Sequence, residues 1–120
     1  MTEVFVERHW DTPLTDADMQ AMIAAGGRCL GLYRCDWHRS WLSADGRELC
    51  CHFSGPDAES VRMALRQAGS QPGRVWAASI LDAPGATVAD LGRTNVLVTR
   101  HFPEPVDFAE IQALEEAGSG

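Results

Sequence analysis

The chain has 120 residues, 45% of them hydrophobic, and a formal net charge of −7; it contains no lysine, so every fixed positive charge is an arginine. That length suits a single core-bearing unit. The acidic balance argues against a nucleic-acid backbone or an anionic membrane surface as partner, since both call for a basic face.

No apolar run approaches the roughly 20 residues of a membrane span. The opening MTEVFVERHW has no basic stretch leading into an apolar one, so no secretory signal is expected. The cysteines stand at 29, 35, 50 and 51. Adjacent Cys50 and Cys51 point to opposite faces of any strand, which does not suit a disulfide framework. The expectation is a cytoplasmic protein with reduced thiols.

Val4 to Trp10 is rich in β-branched and aromatic residues and ends at Asp-Thr-Pro, which predicts a strand. Thr15 opens a helix, with Asp18 three residues on as a capping box. Leu14, Met19, Met22, Ile23, Leu30 and Tyr33 follow helical spacing, and Gly26-Gly27 is a point where that helix is expected to bend or end early. Asp36 to Ser43 and Arg47 to Phe53 predict two further strands. The Asp45-Gly46 pair between them is the signal of a two-residue hairpin turn. Gly55-Pro56-Asp57 starts a second helix with proline near its first position. Val61, Ala64, Leu65 and Ala68 form its buried stripe, and Gly69 stands where a helix-terminating glycine belongs. Val75 to Leu81 predicts a fourth strand.

The chain then repeats itself. Residues 96–118 (VLVTRHFPEPVDFAEIQALEEAG) lie over residues 4–26 without a gap, and ten of the 23 positions are identical, among them Val4/Val96, Arg8/Arg100, His9/His101 and Pro13/Pro105. Val96–Phe102 is therefore expected as a strand and Asp107–Ala117 as a helix, with Asp107 as cap and Glu110 three residues on. The predicted organisation is a unit over 1–81, a linker over 82–95 and a partial second copy over 96–118. A lone strand and helix cannot bury their apolar faces alone, so the copy is expected to dock on the first unit or on a partner chain.

Strand-helix-strand, hairpin, helix-strand is the ferredoxin-like βαββαβ plan, an α+β fold with an antiparallel sheet and both helices on one face. The other face needs a cover. Two such sheets closing on each other give a homodimeric α+β barrel.

The ordered pieces V-F-V-E-R-H-W, then W-L-S-A-D-G-R-E-L-C-C-H-F-S-G-P-D-A-E-S-V-R, then R-Q-A-G resemble a family of small bacterial ferredoxin-like proteins, long filed as a domain of unknown function, that includes nickel-binding members. The resemblance covers about residues 4–81. It implies a dimeric α+β barrel with a transition-metal site and no established catalytic activity. Related sequences carry a histidine within V-R-x-H in the second helix; here Val61-Arg62-Met63 runs on to Ala64.

The histidines are His9, His38, His52 and His101. None forms an i, i+4 helix pair, so a metal site has to be assembled across strands. In the predicted sheet His9, His52 and His38 sit on three neighbouring strands. Alternation puts Leu49, Cys51 and Phe53 under the helices and turns Cys50, His52 and Ser54 the other way. Glu7 shares a face with His9, opposite Val6 and Arg8, and His38 shares one with Ser40. A cluster of Glu7, His9, His38 and His52 offers imidazole and carboxylate, a set that suits Ni(II), Cu(II) or Zn(II). The same imidazoles also suit hydrogen-bonded barrel or interface residues.

Trp37 and Trp41 are expected on one strand face with Arg39 between them. With Cys50 they either wall an apolar ligand pocket or form a dimer contact. The expected function is a small non-enzymatic binding protein holding a transition metal such as nickel. The alternatives are a cofactor-free barrel enzyme of monooxygenase or isomerase type, with His9 or His52 as general base, and a purely structural or interaction module.

Overall fold

The computed structural model describes residues 1–82, 96–107, 109–111 and 113. The chain divides into two units, Met1–Val88 and Ala89–Gly120. In the first, the elements run β1 (Thr2–His9), α1 (Asp16–Leu32), β2 (Asp36–Leu42), β3 (Glu48–Gly55), α2 (Ala58–Gln67) and β4 (Arg74–Ala78). The strands form one antiparallel sheet in the order β2-β3-β1-β4, the arrangement expected of a ferredoxin-like α+β unit.

Alternation along β1 and β3 decides the two sides of this sheet. Val4, Val6 and Arg8 on β1, and Leu49, Cys51 and Phe53 on β3, are buried. The apolar members of this set join Leu30 of α1, Cys35, and Val61, Ala64 and Leu65 of α2 in one core cluster. Val4, Val6 and Val61 are wholly buried, each contributing roughly 1.5–3 kcal/mol of hydrophobic stabilisation. Arg8 is the charged member of this side. Burial lowers its pKa, an effect that neighbouring Cys51 partly opposes, and its Nε has no hydrogen-bond partner among the described residues. The alternate residues Glu3, Phe5, Glu7 and His9 on β1, and Cys50 and His52 on β3, project from the opposite, open face.

Local chemistry sets the element ends. Thr15 and Asp18 form the expected capping box: the Asp18 amide donates to the Thr15 hydroxyl at 3.1 Å and the Thr15 amide to the Asp18 carboxylate at 3.0 Å. Helix α1 does not bend or stop at Gly26-Gly27. It runs on to Leu32, because core burial of Leu30 outweighs the weak helical preference of glycine. Pro56 precedes the cap of α2 and is not its first helical residue; Asp57 is the N-cap and accepts from the Ser60 amide at 2.7 Å. Gly69 terminates α2 at φ +84°, with its amide donating to Arg66 O and the Ser70 amide to Leu65 O, a Schellman motif. The β2–β3 connection is longer than a two-residue turn. Ser43 O accepts from the Gly46 amide at 2.9 Å, and Gly46 takes φ +73° to let the chain rejoin β3.

One irregularity shapes the open face. The β2–β3 pairing steps from Trp37↔Phe53 to Arg39↔His52, so His38 is an extra residue in β2, a β-bulge. Beyond it Trp41 lies opposite Cys50.

In the second unit the cap of the repeat is realised at the expected place. The Glu110 amide donates to Asp107 Oδ1 at 2.8 Å, the Asp107 amide to Glu110 Oε2 at 3.4 Å, and residues 109–111 and 113 are helical. These are the positions of Thr15 and Asp18 displaced by 92. Among the described residues, 96–102 lie outside the strands of the first unit's sheet and are exposed. The expected linker lies largely at residues 83–95, outside the described residues. Among the described residues no helix is long and apolar enough to cross a membrane.

The core assignment makes a direct prediction for stability. Leu65 is 4% exposed and Leu32 71% exposed. In urea unfolding, Leu65→Ala is expected to cost about 2–5 kcal/mol and Leu32→Ala less than about 0.5 kcal/mol. Equal losses would contradict the packing described.

Candidate metal centre

Strand register builds a three-donor cluster on the open face. Phe5 pairs with His52 and Glu3 with Ser54, so Glu3 is the diagonal cross-strand neighbour of His52. Glu3 Oε2 lies 2.5 Å from His52 Nε2. The bulge swings His38 onto the same side, where its Nε2 is 2.7 Å from Ser54 Oγ and its ring centroid is 4.8 Å from that of His52. One donor atom from each of Glu3, His38 and His52 lies within 4.8 Å of the others. Glu3 and His52 are half-buried and His38 is exposed, so a bound ion would meet two imidazoles, one carboxylate and solvent. Imidazole with carboxylate is a donor set for Ni(II), Cu(II) or Zn(II).

The residues singled out from the sequence fall differently. His38 and His52 are brought together. His9 is on the same face but pairs with Glu48, four residues along β1 from the level of His52, or about 13 Å at strand rise. Its Nδ1 is 3.7 Å from Glu48 Oε1, and both side chains are mostly exposed. Glu7 pairs with Cys50 and its carboxylate lies 3.8 Å from Arg74. Glu7 and His9 therefore stand outside the cluster, and Glu3 supplies the carboxylate. Alternation alone puts Glu3 on the face of Glu7 and His9; starting the strand at Val4 hid it, and only the β1–β3 register selects among the three. Ala64 of α2 is wholly buried in the core. It takes no part in this face.

The bulge also separates the two tryptophans expected to share a face. Trp37 Nε1 donates to Ser40 Oγ at 2.8 Å, which in turn donates to buried Cys51 Sγ at 2.9 Å. Trp37 and Ser40 thus belong to the helix side, away from His38. Trp41 remains on the open face beside Cys50. There it joins a row with Phe5 and Trp76: ring centroids are 6.4 Å apart for Phe5–Trp41 and 5.9 Å for Phe5–Trp76, all nearly parallel, and Phe5 stacks on His52 at 5.2 Å. Arg74 Cζ sits 4.8 Å from the Trp76 ring and Arg39 Cζ 6.0 Å from that of Trp41. A pocket walled jointly by Trp37, Trp41 and Cys50 is therefore not formed.

Cys50 is a poor nucleophile in this setting. Burial, then Cys51 and Glu7, push its thiol up to about 11. At pH 8 it carries roughly 100-fold less thiolate than an unshifted thiol, and alkylation followed by peptide mass analysis should find Cys50 slow at pH 8, its rate rising until the pH passes about 11. Rapid modification of Cys50 at pH 8 would contradict this.

Comparison with known proteins follows the same outline. A protein-family profile described as nickel responsive protein SCO4226-like matches residues 5–77. The chain is also similar to the crystal structure of SCO4226 from Streptomyces coelicolor A3(2), with a TM-score of 0.61 and 14% identity, over 67% of this chain and 99% of that one. At that identity the likeness speaks for the fold. No curated protein matches the chain. The profile spans more than half of the sequence, from Phe5 within β1 through α1, β2, β3 and α2 into β4, with Glu3 just before it: the chain belongs to the SCO4226-like family of nickel responsive proteins.

Proposed function

We propose that this protein is a small binding protein, not an enzyme, that holds a divalent transition metal, nickel foremost, through Glu3, His38 and His52. The observation that carries the reading is the convergence of these three donor atoms within 4.8 Å on a rigid sheet face. The family description as nickel responsive supports the choice of metal. Two imidazole nitrogens and one carboxylate oxygen leave further coordination positions for water or a second molecule, as a site that must both take up and release its ion requires. A metal entering the cluster replaces the contact between Glu3 and His52, since both must present lone pairs to it.

We also read the open face as the contact of a homodimer. The row of Trp41, Phe5 and Trp76 is a partly exposed aromatic surface, and a second copy of the same face covers it in the manner of an α+β barrel. Such closure surrounds the three donors with low-dielectric walls, which strengthens a charged site. The reading places the dimer in the cytoplasm.

Equilibrium dialysis against Ni(II) tests the metal reading. His52→Ala is expected to weaken binding by about tenfold or more, equivalent to about 1.4 kcal/mol. His9→Ala and Glu7→Gln are expected to bind as the parent does. Retention of full affinity in His52→Ala, or its loss in His9→Ala alone, would overturn the assignment.

A further inference from the structure

Of the three donors, Glu3 and His52 are placed by the β1–β3 register, whereas His38 is skipped by the β2–β3 register and is exposed. Its imidazole is nevertheless tied down, with Nε2 2.7 Å from Ser54 Oγ. Ser54 is 7% exposed and sits in mid-sheet, opposite Glu3 of β1 on one side and Asp36 of β2 on the other. A short side chain held between two strands is a fixed post. A bond to it sets the plane and direction of a ring that would otherwise swing on an exposed bulge.

We propose that Ser54 is the positioning residue of the metal site: its oxygen accepts from His38 Nε2–H and fixes the tautomer in which Nδ1 carries the lone pair offered to the ion. The assignment rests on the metal reading and adds to it the ligating atom and its support. A neutral imidazole has one N–H and one free lone pair, each on a different ring nitrogen. A nitrogen engaged with Ser54 cannot present a lone pair to an ion at the same time. With that contact kept, Nδ1 is the nitrogen left to ligate.

The charges beside Ser54 set the direction of the bond. Glu3 and Asp36 flank it in register, on the same face of the sheet. Two carboxylates there favour the positive end of a dipole, an N–H, directed toward that row. A ligating histidine commonly donates its other ring N–H to a neighbouring oxygen, which fixes the ring and raises the basicity of the ligating nitrogen. At His52 the ring-nitrogen contact is to Glu3, itself a member of the donor set. The support that Ser54 gives is therefore specific to His38, the donor that strand register leaves unplaced.

Long-range proton–nitrogen NMR of the metal-free chain at about pH 9, where imidazoles are neutral, reads the tautomer directly. The expected result is a proton on His38 Nε2 and none on Nδ1 in the parent. That preference is expected to be lost in Ser54→Ala and kept in Ser54→Thr, which retains the hydroxyl. Equilibrium dialysis against Ni(II) reads the consequence: Ser54→Ala is expected to bind about tenfold or more weakly, and Ser54→Thr as the parent does. A proton on Nδ1 in the parent, a tautomer unmoved by Ser54→Ala, equal losses in both variants, or full Ni(II) affinity in Ser54→Ala beside a parent that binds would each overturn the role of Ser54 and leave the metal reading standing. A parent that binds no Ni(II) would overturn both.

Discussion

Strand β1 runs antiparallel to β3 with Phe5 opposite His52, and both sides of the sheet depend on that register. It sends Val4, Val6, Leu49, Cys51 and Phe53 to the helices and leaves Glu3 and His52 within hydrogen-bond reach on the other side. A slip of β1 by one residue would turn its side chains over and send Val4 and Val6 to the open face, at roughly 1.5–3 kcal/mol each. The core thus enforces the geometry of a cluster it does not touch. Glu3 and His52 are positioned by sheet pairing, not by a loop, which fixes their mutual geometry.

The bulge at His38 is the second constraint, and it acts on both faces. An unbulged β2 would put His38 on the side of Ser40 and Cys51, under the helices. The extra residue brings it instead to Ser54 and His52, and by the same half-turn sends Trp37 to Ser40. One irregular residue therefore completes the donor set, divides the tryptophans and makes the β2 edge a poor template for pairing.

Much of this was legible in the sequence because it depends on local chemistry or strict alternation. The order of elements, the box at Thr15 and Asp18, the glycine stop at Gly69 and the split of β3 into Leu49/Cys51/Phe53 and Cys50/His52 all follow from neighbours a few residues apart. So does the local cap that Asp107 and Glu110 form. What eluded sequence reasoning depends on pairing between distant strands. Alternation offers Glu3, Glu7 and His9 as equals, and only the register against β3 singles out Glu3. A bulge leaves no composition signal at His38. Gly26-Gly27 carries a local helix-breaking preference that core burial of Leu30 further along α1 overrides. The segment 96–102 has the composition of a strand but lies outside the strands of the first unit's sheet.

The central claim is that Glu3, His38 and His52, and no other imidazole-bearing group, form the metal site. Titrating Ni(II) into the protein while following the ring resonances of all four histidines by NMR tests it most directly. The account predicts that the rings of His38 and His52 broaden together at the first equivalents while His9 and His101 stay sharp. Early broadening of His9 or His101, with His52 unaffected, would contradict it.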